Sequence, residues 1–181
     1  GTGTNSATVR NCRFVENAAH VAGGVSVSLG TSLIEDCLFL DNDATANCGG
    51  GLASSQGTPV LKNCTFVGNE AVTQGGGVAS VHGASYVHIY QTIFYQNSSP
   101  EEKGGAVCCD AGGDANLTCC CLYENVGGDW VNCIEEQGTI NGNMSSDPLF
   151  CDPDNDDYRL QPESPCAPYT FPNPECGLIG A

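Results

Sequence analysis

One short phrase returns five times along this chain, and no other feature narrows its fold as much. The copies read "NCRFVEN" at 11–17, "DCLFLDN" at 36–42, "NCTFVGN" at 63–69, "QTIFYQN" at 91–97 and "CCCLYEN" at 119–125. Aligned on their last residue, they give a column of Asn17, Asn42, Asn69, Asn97 and Asn125, at spacings of 25, 27, 28 and 28. Three residues earlier stand Phe14, Phe39, Phe66, Phe94 and Leu122. Two before those stand Cys12, Cys37, Cys64, Thr92 and Cys120. A glycine pair with an apolar residue recurs downstream, as Gly23-Gly24-Val25, Gly50-Gly51-Leu52, Gly76-Gly77-Val78 and Gly104-Gly105-Ala106. Periods of about 20 to 50 residues mark solenoids and propellers.

The length of the period separates these. A propeller blade needs about 40 residues or more for its four strands, which is too long here. Helical solenoids need amphipathic runs of about ten residues or more at 3.6 spacing, and the chain has none. Within "VRNCRFVEN" the Cys and Phe share a parity and point one way, while Arg13 points the other. The Gly pairs and the "SQGT" and "HGAS" stretches interrupt these short strands. The pattern therefore predicts an all-β, right-handed parallel β-helix of about six coils. Repeats fall near 7–30, 31–58, 59–84, 85–113 and 114–146, with a cysteine-stapled capping segment at 147–181.

Coils of such a helix stack at about 4.8 Å, so equivalent residues lie over one another. The Phe and Leu122 column then becomes a core stack, and the Cys column a file of small buried hydrophobes. The Asn column holds the bend, each amide bonding its neighbours above and below. Arg10, Glu35 and Lys62 alternate in sign and should pair across coils, contributing about 0–1 kcal/mol each as exposed pairs. The opening "GTGTNSATV" reads as strand material with no polar cap, which leaves an end free for stacking on another copy.

Composition limits the partners. The net charge is −16, from 21 acids against 5 bases. Nucleic acid is a poor partner, because its phosphates demand Lys and Arg, and an anionic membrane surface is disfavoured for the same reason. No apolar run approaches about 18 residues, so no membrane span is expected. The chain lacks a starting Met and reads as a mature or excised piece of a longer secreted product. Thirteen cysteines point to an oxidising, extracellular or cell-surface setting, and the odd number leaves at least one unpaired. Zinc competes for them, but no CxxC pair exists, and His20, His82 and His88 lie far from the cysteine clusters in sequence. Six of the cysteines fall in "CCDAGGDANLTCCCLYENVGGDWVNC", where loop disulfides of unread connectivity are expected. The Pro-rich "SPCAPYTFPNPEC" cannot hold itself by strand pairing, so Cys166–Cys176 is the single staple favoured.

These coils resemble the repeats of the pectin-lyase-like superfamily, in its bacterial secreted and surface type. The tail resembles the closing segment of choice-of-anchor proteins, which runs D-P-L-F, then D-P-x-N-G-D-Y-x-L, then S-P-C. The match runs through Asp147-Pro148-Leu149-Phe150, Asp152-Pro153, Asn155, Asp157-Tyr158, Leu160 and Ser164-Pro165-Cys166, and departs at Asp156, where Gly is usual. "GGDWVNC" at 127–133 resembles the coil before that tail. The resemblance implies the fold and leaves the activity open, since one fold carries many functions.

Enzymes of that superfamily act on acidic polysaccharides, with Ca²⁺ and a basic residue or with clustered carboxylates flanking the bond. Arg10, Arg13, Lys62, Lys103 and Arg159 form no cluster with paired acids. Glu16 and Asp41 stack one residue before the Asn column and could do acid–base work, but read as solvated turn acids. No catalytic residue is assigned. Asp152, Asp154 and Asp156 occupy positions 1, 3 and 5 of a calcium-loop pattern with Glu163 at 12, although Asp157 replaces the usual Gly at 6. Calcium is thus the one cofactor with a candidate site. Sequons occur at Asn63, Asn97, Asn116 and Asn143; Asn116 and Asn143 are the glycosylation candidates, as Asn97 belongs to the ladder. Trp130, the lone Trp, reads as core packing rather than a sugar platform. The function expected is a non-enzymatic extracellular structural or surface protein that self-assembles end to end into a fibre. The alternative is a carbohydrate-active enzyme or a glycan-binding module that meets a polysaccharide.

Overall fold

The computed structural model describes residues 6–173 and 175–181 as an all-β parallel solenoid. Residues 1–5 of the opening stretch lie outside the described part. The first wall stacks Thr8–Arg10, Leu33–Glu35, Val60–Lys62, Tyr86–Tyr90 and Asp114–Thr118. The second stacks Arg13–Val15, Leu38–Leu40, Thr65–Val67, Ile93–Tyr95 and Cys121–Tyr123. A short third wall holds Ala18–Ala19, Asp43–Ala44 and Glu70–Ala71, extended by single bridges at Ser98 and Val126. The fourth stacks Val25–Gly30, Leu52–Gly57, Val78–Val81 and Val107–Asp110. Every pairing within these walls is parallel and joins one repeat to the next. The chain completes about four turns, because the fourth wall has only four strands, so the expected count of six is corrected. Beyond Asn125 the glycines Gly127 and Gly128 adopt φ of 98° and 105°, leaving strand geometry, and the chain enters a 3-10 helix at Asn132–Gln137.

The aromatic column lies inside. Phe14, Phe39, Phe66 and Phe94 stack with centroid separations of 4.8, 4.3 and 5.0 Å and interplanar angles of 13°, 3° and 12°. Aromatic pairs usually prefer offset or edge-on contact. Here the coil spacing, close to the ordinary inter-strand distance, holds them face to face. Leu122 continues the column in register with Phe94.

Glycine makes room for these rings. A Cβ on Gly24, Gly51 or Gly77 would come within 2.9, 2.6 or 2.7 Å of Cδ1 of Phe39, Phe66 or Phe94. The fourth member of the glycine series is shifted by one from the sequence reading. Val25, Leu52, Val78 and Val107 share a register, so the matching triplet is Gly105-Ala106-Val107. Gly104 takes the preceding left-handed position with Gly49 and Gly75. Ala106 appears in the turn whose column residue is Leu122 instead of Phe, where no ring demands a bare backbone.

The Asn column forms an unbroken side-chain ladder. Each Nδ2 donates to the Oδ1 of the next coil, at 2.9 Å from Asn17 to Asn42 and 2.8 Å for each of the three steps to Asn125. That oxygen also accepts the backbone N–H of the preceding Asn, at 3.2, 3.1, 3.1 and 2.9 Å. The same Nδ2 groups reach back to the carbonyls of Phe14, Phe39, Phe66 and Phe94 at 2.9–3.0 Å. Asp129 ends the ladder by accepting both the side-chain and backbone N–H of Asn125, at 2.6 and 3.0 Å.

The tail does not sit on the end of the solenoid as a cap. The end is closed by the 3-10 helix, which buries Ile134 against the core, with Trp130 and Cys133 packed beside it and Cys133 bridged to Cys109. Residues 147–173 and 175–181 instead run along the outer face of the second wall. The hairpin Phe150–Asp152 with Asp157–Leu160, together with Cys166 and Ile179, covers Leu40, Val67, Ile93 and Cys121 in a second apolar cluster. The Cys166–Cys176 staple is also corrected: Cys176 bonds to Cys119, 57 residues away, and Cys166 is a buried thiol. The Pro-rich loop needs no staple of its own. Thr170 Oγ1 donates to the Ser164 carbonyl at 2.7 Å, and Asn173 Nδ2 to those of Ala167 and Gly177 at 3.1 and 2.7 Å.

Four substitutions measure the columns. Phe66→Ala should cost about 3–5 kcal/mol in urea unfolding. Phe66→Leu should cost less than about 1.5 kcal/mol, since the column already accepts a leucine at its end. Asn69→Ala strands the Asn42 amide and the Phe39 carbonyl, each at about 1–3 kcal/mol, while Asn97 Oδ1 keeps the backbone N–H of residue 69, so a loss of about 2 kcal/mol or more is expected. Asn17→Ala, at the exposed end of the same ladder, should cost under about 1 kcal/mol by the same assay.

Candidate functional site

The residues that recur most regularly are consumed by the stack. Each column thiol donates to the carbonyl two residues before it: Cys12 to Arg10 at 3.2 Å, Cys37 to Glu35 at 3.2 Å, Cys64 to Lys62 at 3.3 Å and Cys120 to Thr118 at 3.4 Å. Thr92 does the same with its hydroxyl, to Tyr90 at 2.9 Å. The residue between donor and acceptor is left-handed in every case, with φ of 48–56° at Asn11, Asp36, Asn63, Gln91 and Cys119. The column therefore requires a small donor that closes a bend, which explains why Thr replaces Cys there and no apolar residue does. Burial pushes the Cys120 thiol up to about 12, so it stays protonated at neutral pH.

The acids and bases form local pairs. Glu35 bonds Arg10 at 2.8 Å and Lys62 at 3.3 Å. Glu16 and Asp41 are exposed on the bend before the Asn ladder. Partial burial raises Asp41, and the carboxylates of Asp156 and Glu16 add to the rise. Asp152, Asp154 and Asp156 do not converge on a cation position. Asp152 takes the Asn155 amide at 2.9 Å, Asp156 closes a turn onto the Pro153 carbonyl at 3.2 Å, and all three are exposed. Among the described residues, the one group of three with metal-binding atoms near each other is Cys109, Asp114 and Cys133, and its two sulfurs are bonded to one another.

Two surface features have the form of binding sites. On the outer face of the first wall, Tyr86, His88 and Tyr90 line up at alternate positions of one strand, with centroids 4.7 and 6.4 Å apart. Beside Tyr86 opens a groove of about 520 Å³ lined by Asp114, Asn116, Asn132, Glu135 and Glu136. The parity of "YVHIY" made this row readable, but it lies off the repeated phrase and sequence reasoning passed over it. A second groove, of about 480 Å³, runs between the hairpin and the first two turns, among Asn11, Arg13, Asp36, Tyr158 and Arg159. Burial, reinforced by the Asp156 and Asp41 charges, pushes the Tyr158 phenol up to about 12.

The two glycosylation candidates part ways. Asn116 lies on the first wall's outer face in register with His88. Asn143 is buried and structural: its Nδ2 donates to the carbonyls of Leu117 and Gln137, and its Oδ1 accepts the Cys120 N–H at 2.9 Å. That reading of Asn143 as a free loop residue is corrected. Trp130 packs against the core and donates from Nε1 to Ser145 Oγ at 2.6 Å.

The two ends of the solenoid differ. At the C-terminal end, side chains occupy the strand edges. Gln137 bonds Leu117 N and the Ala115 carbonyl at 2.8 and 2.9 Å, Asn132 Oδ1 accepts Cys109 N at 3.3 Å, and the Asn141 and Met144 carbonyls take Cys119 N and Leu122 N at 2.9 and 3.1 Å. None of these capping side chains belongs to the repeated phrase, so none was foreseen. At the other end, nothing among the described residues pairs with the free edges of Thr8–Arg10, Arg13–Val15, Ala18–Ala19 or Val25–Gly30. Val9, Phe14 and Val25 are only half-buried there, and Val9, Val25, Val27 and Ile34 line an opening of about 270 Å³. Among the described residues, no helix is long and apolar enough to cross a membrane.

Comparison of the chain with protein-family models, curated proteins and solved structures returned no match.

The hairpin supplies a titration test. The bidentate Arg159 guanidinium, with Nε 2.8 Å and Nη2 2.6 Å from the carboxylate, holds Asp157 down at about 2. A depressed folded value means the pair's contribution is complete above the ordinary value of 3.8 and fades as pH falls through about 2. Carboxyl-detected NMR should place the Asp157 midpoint near 2, and Arg159→Gln should return it toward 3.8.

Proposed function

We propose that this chain is a non-enzymatic extracellular scaffold module of the pectin-lyase-like, choice-of-anchor kind, closed at one end and stacked upon at the other by a further parallel coil. The observation that carries the reading is the asymmetry of the ends among the described residues: capped strand edges after Tyr123, unpaired edges and half-buried apolar residues in the first turn. Solenoid stability grows by nearest-neighbour interfaces, so an added coil gains both strand pairing and apolar burial. The repeated residues support a structural role, since their polar atoms are spent on the coils themselves. The disulfides support an oxidising compartment. Head-to-tail stacking of identical copies would require the Asn132–Gln137 helix to leave the core, against the Cys109–Cys133 bridge. The fibre expected from the repeat thus narrows to a rod that receives a coil at its first turn.

The test is a fusion carrying one extra coil, copied from residues 31–58, ahead of residue 7. The urea midpoint should rise, and the unfused protein should run as a monomer by light scattering. An unchanged midpoint, spontaneous fibres, or cleavage of uronate polymers by the purified protein would each overturn the reading.

A second reading rests on the Tyr86–His88–Tyr90 row and its neighbouring groove: a glycan-binding face. Planar rings and carboxylate or amide groups together suit sugar hydroxyls and C–H faces. Calorimetry with neutral oligosaccharides, on the native chain and on Tyr86→Ala and Tyr90→Ala, decides it. Binding lost in both variants supports a glycan face, and heats at the dilution baseline remove it.

A further inference from the structure

The tail is tied to the solenoid by one bridge, Cys119–Cys176. Two residues along from Cys119, the side chain of Cys121 leaves the outer face of the second wall, in register with Ile93. Gly180 lies over Ile93, and its neighbour Ile179 donates its N–H to the carbonyl of Cys166 at 3.0 Å. This chain of contacts sets Cys166 above Cys121. Both are fully buried in the same apolar cluster, where the Cys121 thiol donates to the Ser146 carbonyl at 3.1 Å and each thiol shifts the other's ionisation.

From this geometry we infer that Cys121 and Cys166 are a third disulfide site, formed as the tail docks, which locks the tail to the solenoid when oxidised. The inner-column thiols, Cys37 and Cys64 among them, lie on successive coils of one wall and bond carbonyls of their own bends, whereas this pair joins two separate parts of the chain. Two bridges would then join the same two segments, Cys119 to Cys176 and Cys121 to Cys166.

The reaction is a thiol–disulfide exchange with a low-molecular-weight disulfide such as oxidised glutathione. The Cys121 thiolate attacks one glutathione sulfur, forming a mixed disulfide and releasing one glutathione thiolate. That thiolate takes up a proton. Cys166, deprotonated in turn, attacks Sγ of Cys121 and expels the second glutathione. Overall two thiols and one oxidised glutathione become one protein disulfide and two reduced glutathiones. Because both sulfurs are covered in the docked state, closure belongs to folding or to an opened tail.

The experiment refolds the full chain in a glutathione redox buffer, blocks free thiols in denaturant and maps peptides without reduction. A peptide joining Cys121 to Cys166 is expected beside the one joining Cys119 to Cys176. Three bridges use six of the thirteen cysteines, leaving seven to be alkylated. Nine alkylated cysteines, with Cys121 and Cys166 both labelled and Cys119–Cys176 intact, would overturn the inference. A second readout covers variants. Cys121→Ser and Cys166→Ser should each speed hydrogen exchange at Ile179 and Gly180 in the oxidised protein by a similar factor, and by much less when native and variant proteins are both reduced. Equal effects in the two redox states would show a packing role only and sink the lock.

Discussion

Parallel hydrogen bonding from each coil to the next sets one vertical spacing, and the rest of the molecule follows from it. At that spacing any residue meets its own equivalent above and below. Only side chains that tolerate their own kind at close range can fill a column. Flat rings do so by stacking. Amides do so because they carry a donor at one end and an acceptor at the other. Thiols and hydroxyls do so by turning to a carbonyl of their own bend. Charges do so poorly: the column of Arg10, Glu35 and Lys62 alternates in sign, and the like-charged steps, Glu16 to Asp41 and Asp43 to Glu70, stay outside the core.

The same rule shows what lies outside the repeat. Where the columns stop, other residues take over their hydrogen bonds. Asp129 receives the amide ladder, Gln137 and Asn132 take strand edges, and Asn143 occupies the amide of Cys120. The tail answers a different need. The outer face of the second wall carries Leu40, Val67 and Ile93, which would be an exposed apolar stripe if the tail did not lie along it.

Much of the fold was legible because the repeat is a direct record of stacking. The Phe, Cys and Asn columns could be placed from spacing and parity alone. The limits are as instructive. The glycine series slipped by one at Gly104, since two adjacent glycines fit either register until the strand pairing of Val107 settles it. The turn count was set too high, because residues 127–146 keep the composition of a coil while their backbone closes the end. The cysteine staple failed because proximity in sequence was weighed over contact in space: Cys176 lies nearer Cys119 than Cys166 once the tail folds back. Surface sites were the least legible, since the Tyr86–His88–Tyr90 row owes its geometry to a single strand and has no echo in other repeats.

Every rung of the amide ladder gives its hydrogen toward the same end, so the rungs add as aligned dipoles and the rod acquires a polarity along its axis. The carboxylate of Asp129 neutralises the electropositive terminus. The electronegative terminus is the exposed side-chain oxygen of Asn17, which accepts only from what is laid upon it. A mirror-wise meeting of two such termini would set oxygen against oxygen, whereas a strand arriving with an N–H at that height would extend the series. The ladder thus acts as a one-way connector, and its sense of direction discriminates between partners before any surface contact is made.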